Sequence, residues 1–377
     1  MRAYVFTDPA LRPVAGRFVW LAIDGEQARN AALTRRLNLV AYPTYYILDP
    51  VTERVALRWV GGMSVEQMEQ VLASGETAVK GGGTPFDRAM VSADSLYAID
   101  ADSAATLAYQ TLLARVPHDW PNRERVLESL LFAASQCGRD TDVVALATAE
   151  LPGRPDGLAL GNVAAAGLGS AVALAETDPR RAAAIARFRP VVERIAADST
   201  LAMTGDDRSG MWITLLDAAD AEHDSTAHRA VARAWAEGLE RDARRARTPE
   251  QRSVYDAHRL SAYLELGEPE RALPMLHETV REFPDDYNPH ARLAIALNAL
   301  HRYPEALAES DSALAMSYGP RRISFYRTRV DILVGMGDKP GARKALEDAI
   351  AMVQALPPGQ RSEAAIASFQ KRLAGLR

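Results

Sequence analysis

Cysteine is almost missing from this chain. Its 377 residues hold one, Cys137, so no internal disulfide can form and no disulfide framework carries the fold. Histidine is sparse as well: seven residues, all in the second, helical part of the chain. None sits in a His-Glu-x-x-His pattern, and His223 and His228 are spaced onto different helix faces, so metal binding is not expected. Positive charge is not in excess. The net charge of −5 excludes the basic surface that nucleic acid requires. Long apolar runs are lacking too. The longest low-polarity stretch, 158–175, is mostly Ala and Gly and contains Asn162 and Ser170, so it reads as a helix buried among close neighbours rather than a membrane span. The first residues show no basic stretch leading into an apolar one. No signal peptide is therefore expected, and as given the chain reads as cytoplasmic. No Gly-Lys-Ser/Thr loop, no Gly-x-Gly-x-x-Gly after a strand and no serine elbow occurs, so no cofactor is expected.

What is present falls into two parts. In residues 1–80, FVWLAID (18–24) is a near-continuous apolar run and predicts a strand buried on both faces. Residues 25–37 predict a helix with Ala28, Ala31, Ala32 and Leu37 inward. TYYILD (44–49) and RVALRWVG (54–61) predict a hairpin turning at Pro50 and Thr52. Ser64 with Gln67 has capping-box spacing, followed by Val65, Met68, Val71 and Leu72 on one helix face. ASGETAVKGGGTP (73–85) is a composition break, and 81–93 is read as a Gly-rich linker.

The order of AYPTYYILD (41–49) after FVWLAID and before WVGG (59–62) resembles the second half of a thioredoxin fold. Met1, Val5, Phe6, Asp8, Pro9 and Asp24 fit the same resemblance. It implies an α/β thioredoxin-like domain over 1–80 and a cis-proline loop of Tyr42, Pro43 and Thr44, which in that family faces a Cys-x-x-Cys. Both cysteines and the strand preceding them are missing from this sequence, so the domain is expected to be incomplete. Two explanations stay open: the chain begins inside a longer protein, or Arg2–Phe6 moves into the gap as a strand.

Beyond about residue 94 strand signals disappear and helical periods alternate with Pro and Gly breakers, which implies paired antiparallel helices over 94–250. Ala272, Ala306 and Ala342 recur 34 and 36 residues apart, a small residue at each helix crossing. Leu260, Ala294 and Val330, then Tyr263, Leu297 and Leu333, then Thr279, Ala313 and Ala349 repeat with them. This pattern over 251–357 resembles the tetratricopeptide repeat, with a C-terminal helix over 358–377. The resemblance implies an all-α solenoid with a concave groove, on whose face Asn288, Asn298, Arg327 and Asp331 would lie. Ala257, Ala291 and Ile295 stand where a carboxylate clamp would need polar groups, so no clamp is expected.

Other constellations carry little. Asp206 and Asp207 read as a helix N-terminal cap, the basic run 241–247 as a solvated helix face because acidic residues interleave with it, and Cys137 as a structural thiol. The leading expectation is a redox-inactive scaffold that binds a protein or peptide through its helical repeats. The alternative is a thiol–disulfide oxidoreductase whose Cys-x-x-Cys precedes Met1, which would leave extracytoplasmic residence open. A third is a helical structural subunit with a vestigial small domain.

Overall fold

A computed structural model describes the chain except Arg2, Asn38, Val40, Ala41, Ile99, Asp100, Ala101 and Arg377, and of Ala98 the backbone alone. Contacts divide the chain into two compact units. The first holds Met1–Val19 and Leu37–Gly238, the second Trp20–Arg36 and Leu239–Arg377.

The first unit begins with turns, not a strand. The carbonyl of Met1 accepts the amides of Tyr4, Val5 and Phe6, so the strand considered for Arg2–Phe6 is not formed by its described residues. A 3-10 turn, Pro9–Leu11, runs into the short helix α1 (Arg12–Ala15), with Asp8 capping the turn through Ala10 N–H. The run 18–24 also departs from expectation. It has no regular secondary structure and forms no ladder, and Val19 is 88% exposed with Trp20, Leu21 and Ile23 also outward. An apolar run becomes a doubly buried strand when strands flank it, and here the described ladder lies elsewhere. In 25–37 a 3-10 turn, Ala28–Asn30, leads into α2 (Ala31–Arg36), and the inward residues are Ala31 and Thr34 while Ala28 and Ala32 face out.

The hairpin forms as the sequence implies. Strands β1 (Thr44–Leu48) and β2 (Val55–Val60) pair antiparallel from Thr44↔Val60 to Leu48↔Val55, with an irregularity after Ile47. The carboxylate of Asp49 takes the amides of Val51 and Thr52 at 2.8 and 2.9 Å and shapes the turn. Helix α3 (Val65–Val79) starts in the expected reciprocal capping box of Ser64 and Gln67. Its Met68, Val71 and Leu72 bury against Leu57, Met63, Val5 and Leu11. Among the described residues β1 and β2 are the whole sheet. The incomplete α/β thioredoxin-like domain expected for 1–80 is thus represented by a hairpin, the short helices α1 and α2, and α3, and no thioredoxin fold is evident.

The linker expected at 81–93 is shorter than its composition suggests. Helix α3 continues through 73–79, and α4 (Pro85–Ala98) begins directly after the glycines. Polar groups then tie the hairpin to the helices. Buried Asp94 of α4 accepts the Tyr109 hydroxyl at 2.7 Å, pairs with Arg125 and takes the amide of Arg58 in β2 at 3.4 Å, while Arg125 donates to the Arg58 carbonyl at 2.7 Å. Residues 42–79 therefore pack as part of the first helical unit instead of as a separate domain.

From α4 onward the chain is helix hairpins. The elements are α5 (Asp102–Leu113), α6 (Arg123–Gln136), α7 (Asp140–Glu150), α8 (Leu158–Ala173), α9 (Arg181–Ala197), α10 (Gly205–Ala221) and α11 (Ser225–Arg245). Helices α4 and α5, α6 and α7, and α8 and α9 pair as hairpins, and α6, α8 and α10 pack on one another as the inner row. Trp235 of α11 buries against α10 and donates to the Ser209 hydroxyl at 3.1 Å. The Ala/Gly-rich α8 is a packed helix: a Cβ on Gly161 would lie 2.2 Å from Met211 of α10, and one on Gly167 would lie 2.6 Å from Phe188 of α9. No helix of the described residues is long and apolar enough to cross a membrane.

The boundary between the units falls inside α11. In the second unit α12 (Pro249–Ser253) precedes α13 (Asp256–Leu266), α14 (Leu273–Glu282), α15 (Tyr287–Ala299), α16 (Tyr303–Met316), α17 (Arg322–Gly335), α18 (Lys339–Ala355) and α19 (Glu363–Gly375). The repeat register is realised in full. Ala272, Ala306 and Ala342 are each 0% exposed, and the companion positions from Leu260 to Ala349 are all buried. A methyl group at these crossings lets the paired helices approach closely. Helix α19 closes the stack, with Phe369 and Ile366 in the core of α17 and α18. Both units are all-α stacks of helix hairpins; the second carries the tetratricopeptide-like register, and the first carries the one small β-hairpin among the described residues.

Candidate peptide-binding surfaces

The inner helices of the second unit are α13, α15 and α17. Their buried sides are fully occupied by the repeat register, so their outward residues are available for recognition. The four residues expected there separate into three places. Arg327 and Asp331 lie one turn apart on α17, both exposed and both engaged by α19: the Arg327 guanidinium is 5.9 Å from the Phe369 ring centre, and Asp331 accepts Arg372 at 2.6 Å. Asn298 is half-buried in the last turn of α15. Asn288 is at the other end of α15, donating to Asp286 at 2.8 Å and accepting from Arg321 at 3.2 Å. Ile295 is exposed between the two asparagines.

The structure adds a site that spacing could not reveal. The segment 24–31 lies along the turns between α16 and α17 and between α18 and α19. The Asp24 carboxylate accepts the Tyr318 hydroxyl at 2.6 Å, and the Glu26 carboxylate accepts the Arg321 amide at 2.5 Å. Nε2 of Gln360 donates to the carbonyls of Gly25 and Gln27 at 2.7 and 3.1 Å. Two glycines permit this approach. A Cβ on Gly319 would stand 2.1 Å from the Glu26 carbonyl oxygen, and one on Gly359 would stand 2.4 Å from that of Ala31. Tyr287 stacks edge-on with Tyr318 and Phe325 beneath the turn. Burial pushes the Glu26 carboxyl above its ordinary range, opposed by the Arg321 amide and charge. For Asp24 burial acts upward, but the Tyr318 hydroxyl and the Glu26 amide outweigh it and hold the carboxyl low. The one signal in the sequence was the pair of turns Gly319-Pro320 and Pro357-Pro358-Gly359-Gln360, which read merely as helix breakers.

The first unit offers a different surface. Glu124 and Glu128 of α6, Asn162 of α8 and Asp207 of α10 lie along its inner row, where Asn162 donates to Glu128 at 2.9 Å. Burial pushes the Glu128 carboxyl up to about 7, helped by the charges of Glu124 and Asp207 against the Asn162 hydrogen bond and Arg154. Asp207 closes a capping box with Thr204, which is the N-cap of α10, so the acidic pair expected to cap this helix sits inside its first turn. The loop Tyr42, Pro43 and Thr44 has the expected cis Tyr42–Pro43 bond. Tyr42 is 63% exposed, the Pro43 carbonyl accepts Gly61 N–H at 2.9 Å, and Thr44 opens β1. Cys137, at the C-terminus of α6, contacts the hydroxyls of Ser103 and Thr106 at 4.0 and 3.9 Å. A cleft of about 270 Å³ between α5, α6 and α7 is lined by Leu113, Leu130 and Leu146 together with Arg123 and Glu150. Among the described residues no group of His, Cys, Asp or Glu is placed to hold a metal ion.

No protein-family model matches the chain, and no curated protein matches it. Solved structures resemble it at low identity. One is a tetratricopeptide repeat protein from Parabacteroides merdae, 11% identical over 78% of this chain and 100% of that one, with a TM-score of 0.48. Another is the TPR2AB domain of yeast Sti1 in its pHSP90 complex, 14% identical over 78% and 99%, TM-score 0.27. A third is the APC/C hetero-tetramer Cut9-Hcn1, 13% identical over 84% and 56%, TM-score 0.37. The helical-repeat assignment stands on the hairpin register and its buried alanines, not on these likenesses.

Proposed function

We propose that this protein is a helical-repeat scaffold that binds protein or peptide partners along the inner helices of its second unit. The observation that carries this reading is the division of labour on α15 and α17. Their inward residues are consumed by the repeat register, while Ile295, Asn298, Arg327 and Asp331 remain as an outward mixture of one apolar and three polar or charged side chains. Such a face recognises a chain segment by an apolar anchor and flanking hydrogen bonds. Residues 42–79, tied to α4–α6 through Asp94, act as a fixed buttress of the first unit.

The thiol–disulfide oxidoreductase reading has no support. That reading places a Cys-x-x-Cys ahead of Met1 on a thioredoxin domain, and among the described residues of 1–80 the only sheet is two-stranded, with no thioredoxin fold evident. The test of the scaffold reading is selection of peptides from a randomised pool on the intact protein. Their affinities are then measured for the unaltered chain and for Asn298→Ala and Arg327→Glu. Loss of about tenfold or more at either position is expected for a groove contact. Failure to capture any peptide, or captured peptides indifferent to both substitutions, would refute the assignment of this face.

A further inference from the structure

The turns that hold residues 24–31 have the makeup of a peptide-recognition site. Recognition of a short chain segment needs donors aimed at main-chain carbonyls, room for backbone to approach backbone, and side-chain contacts at fixed spacing. All three are present. The carboxamide of Gln360 bridges the carbonyls of residues 25 and 27. Gly319 and Gly359 leave space that any side chain would fill, and both face main-chain oxygen of the segment. The Tyr318 hydroxyl and the Arg321 amide meet two carboxylates two residues apart, with buried Gly25 between them. Arg321 adds positive charge beside Glu26 and reaches Asn288, one of the groove residues. The segment lies about 300 residues away in sequence from the turns that bind it, and it is preceded by the exposed apolar run 19–23, which no ladder fixes.

We infer that the surface made by Tyr318, Gly319, Arg321, Gly359 and Gln360 is a docking site for an acidic peptide of the form Asp-Gly-Glu held in a turn, as 24–27 is by the Gln27 amide on the Asp24 carbonyl. Residues 24–27 of this same chain occupy it as an internal ligand. The inference rests on the scaffold reading above and specifies its partner: a protein segment with two carboxylates two residues apart and a small residue between them. An internal occupant works at an effective concentration of the order of millimolar, so it weakens an external peptide by about tenfold or more and yields to one that binds better. The site is then closed by default and opened by competition.

The probe is a fluorescein-labelled synthetic peptide of residues 20–31, WLAIDGEQARNA, read by fluorescence anisotropy on the full chain. The Asp24→Asn, Glu26→Gln double variant, with its own segment released, is expected to bind the probe at least tenfold more tightly than the unaltered chain. Adding Gln360→Ala removes that binding, and a probe carrying Asn and Gln in place of the two acids does not bind. Equal affinity for the released and unaltered chains, or binding that survives Gln360→Ala, overturns the inference. Hydrogen exchange on the unaltered chain gives a reading that needs no substitution: millimolar unlabelled peptide speeds exchange in 20–31, and unchanged exchange there overturns the inference. The peptide selection separates this failure from that of the scaffold. If the pool yields binders sensitive to Arg327→Glu while the acidic probe does not bind, the scaffold stands and this site falls. If neither binds, both fall.

Discussion

Removing the Asp94 carboxylate tests the joint between hairpin and helices most directly. Asp94 is 1% exposed and serves three elements at once: β2 through the Arg58 amide, α5 through the Tyr109 hydroxyl, and α6 through Arg125, whose side chain is 10% exposed. Asp94→Ala leaves the Arg125 guanidinium buried without its counter-charge and the Tyr109 hydroxyl without its acceptor. Breaking a buried pair in this way costs about 3–5 kcal/mol, a large share of the ~5–15 kcal/mol that holds an ordinary domain together. Arg125 also donates to the Arg58 carbonyl, so part of its solvation is replaced and the lower end of that range is expected. Taking away both charges should hurt less than the sum. The double variant Asp94→Ala, Arg125→Met leaves neither ion stranded, and its loss is expected to fall about 2 kcal/mol short of additivity. Urea unfolding followed by circular dichroism gives the stabilities, and amide exchange in 55–60 shows whether β2 loosens with them. A loss below about 1 kcal/mol for Asp94→Ala would refute the claim that this network fastens the hairpin. So would strict additivity in the double variant.

Other outcomes follow from the same geometry. Ala306→Leu should lower stability by about 1–3 kcal/mol, because its methyl is 0% exposed at a helix crossing. Ala315→Leu on the exposed side of the same helix should stay within about 0.5 kcal/mol, and thermal melts compare the two. Glu128 carries a pKa raised from 4.5 to about 7 in the folded chain, so folding retains a proton that the unfolded chain gives up. Stability should fall as pH rises from about 4.5 to 7 and level off above, by an amount on the order of 2 kcal/mol after allowance for partial exposure, and Glu128→Gln should abolish that slope in melts taken across the range. Glu150 is shifted the other way, held low by hydrogen bonds from Arg123 and Arg154 despite burial. Its contribution should be complete above the ordinary carboxylate range and disappear as pH falls below it, and Glu150→Gln should flatten the acid limb of the same curve.

Local chemistry was legible in the sequence and long-range chemistry was not. The hairpin could be read from β-branched and aromatic runs around a turn, and the start of α3 from Ser64 and Gln67, because each signal and its consequence lie within a few residues. The second-unit repeats could be read because a close helix crossing demands a small residue, and Ala272, Ala306 and Ala342 meet that demand at near-constant spacing. Upstream the same hairpins use other means. Arg123 donates to Glu150 at 2.9 and 2.6 Å, and Arg154 bridges Glu150 and Glu124. Paired charges of this kind look like any solvated helix face in a sequence, so no register was visible there. The run 18–24 misled because apolar content reports a preference for burial and says nothing about a ladder partner. The glycines at 81–83 misled because they break a helix without implying freedom between the parts, which Asp94 and Arg125 decide.

The groove residues separate into three places for a reason that also bears on the docked segment. A repeat register fixes which face of a helix a residue is on, and Asn288, Asn298, Arg327 and Asp331 do share the inner helices. It does not fix what the ends of those helices need. Asn288 sits beside the N-cap Asp286 and is drawn into that turn, while Arg327 and Asp331 lie where α19 closes the stack and are met by Phe369 and Arg372. The turns themselves carry groups that the helices do not use: the main-chain donor of Arg321, the buried carboxamide of Gln360, and glycines that admit a second backbone. Backbone groups at such turns must find partners, and the segment that brings them carbonyls and carboxylates is the turn 24–27. On the reading proposed above, recognition lies at inter-repeat turns as well as along the inner helix faces, and a search for partners confined to the helical register would pass over the turns.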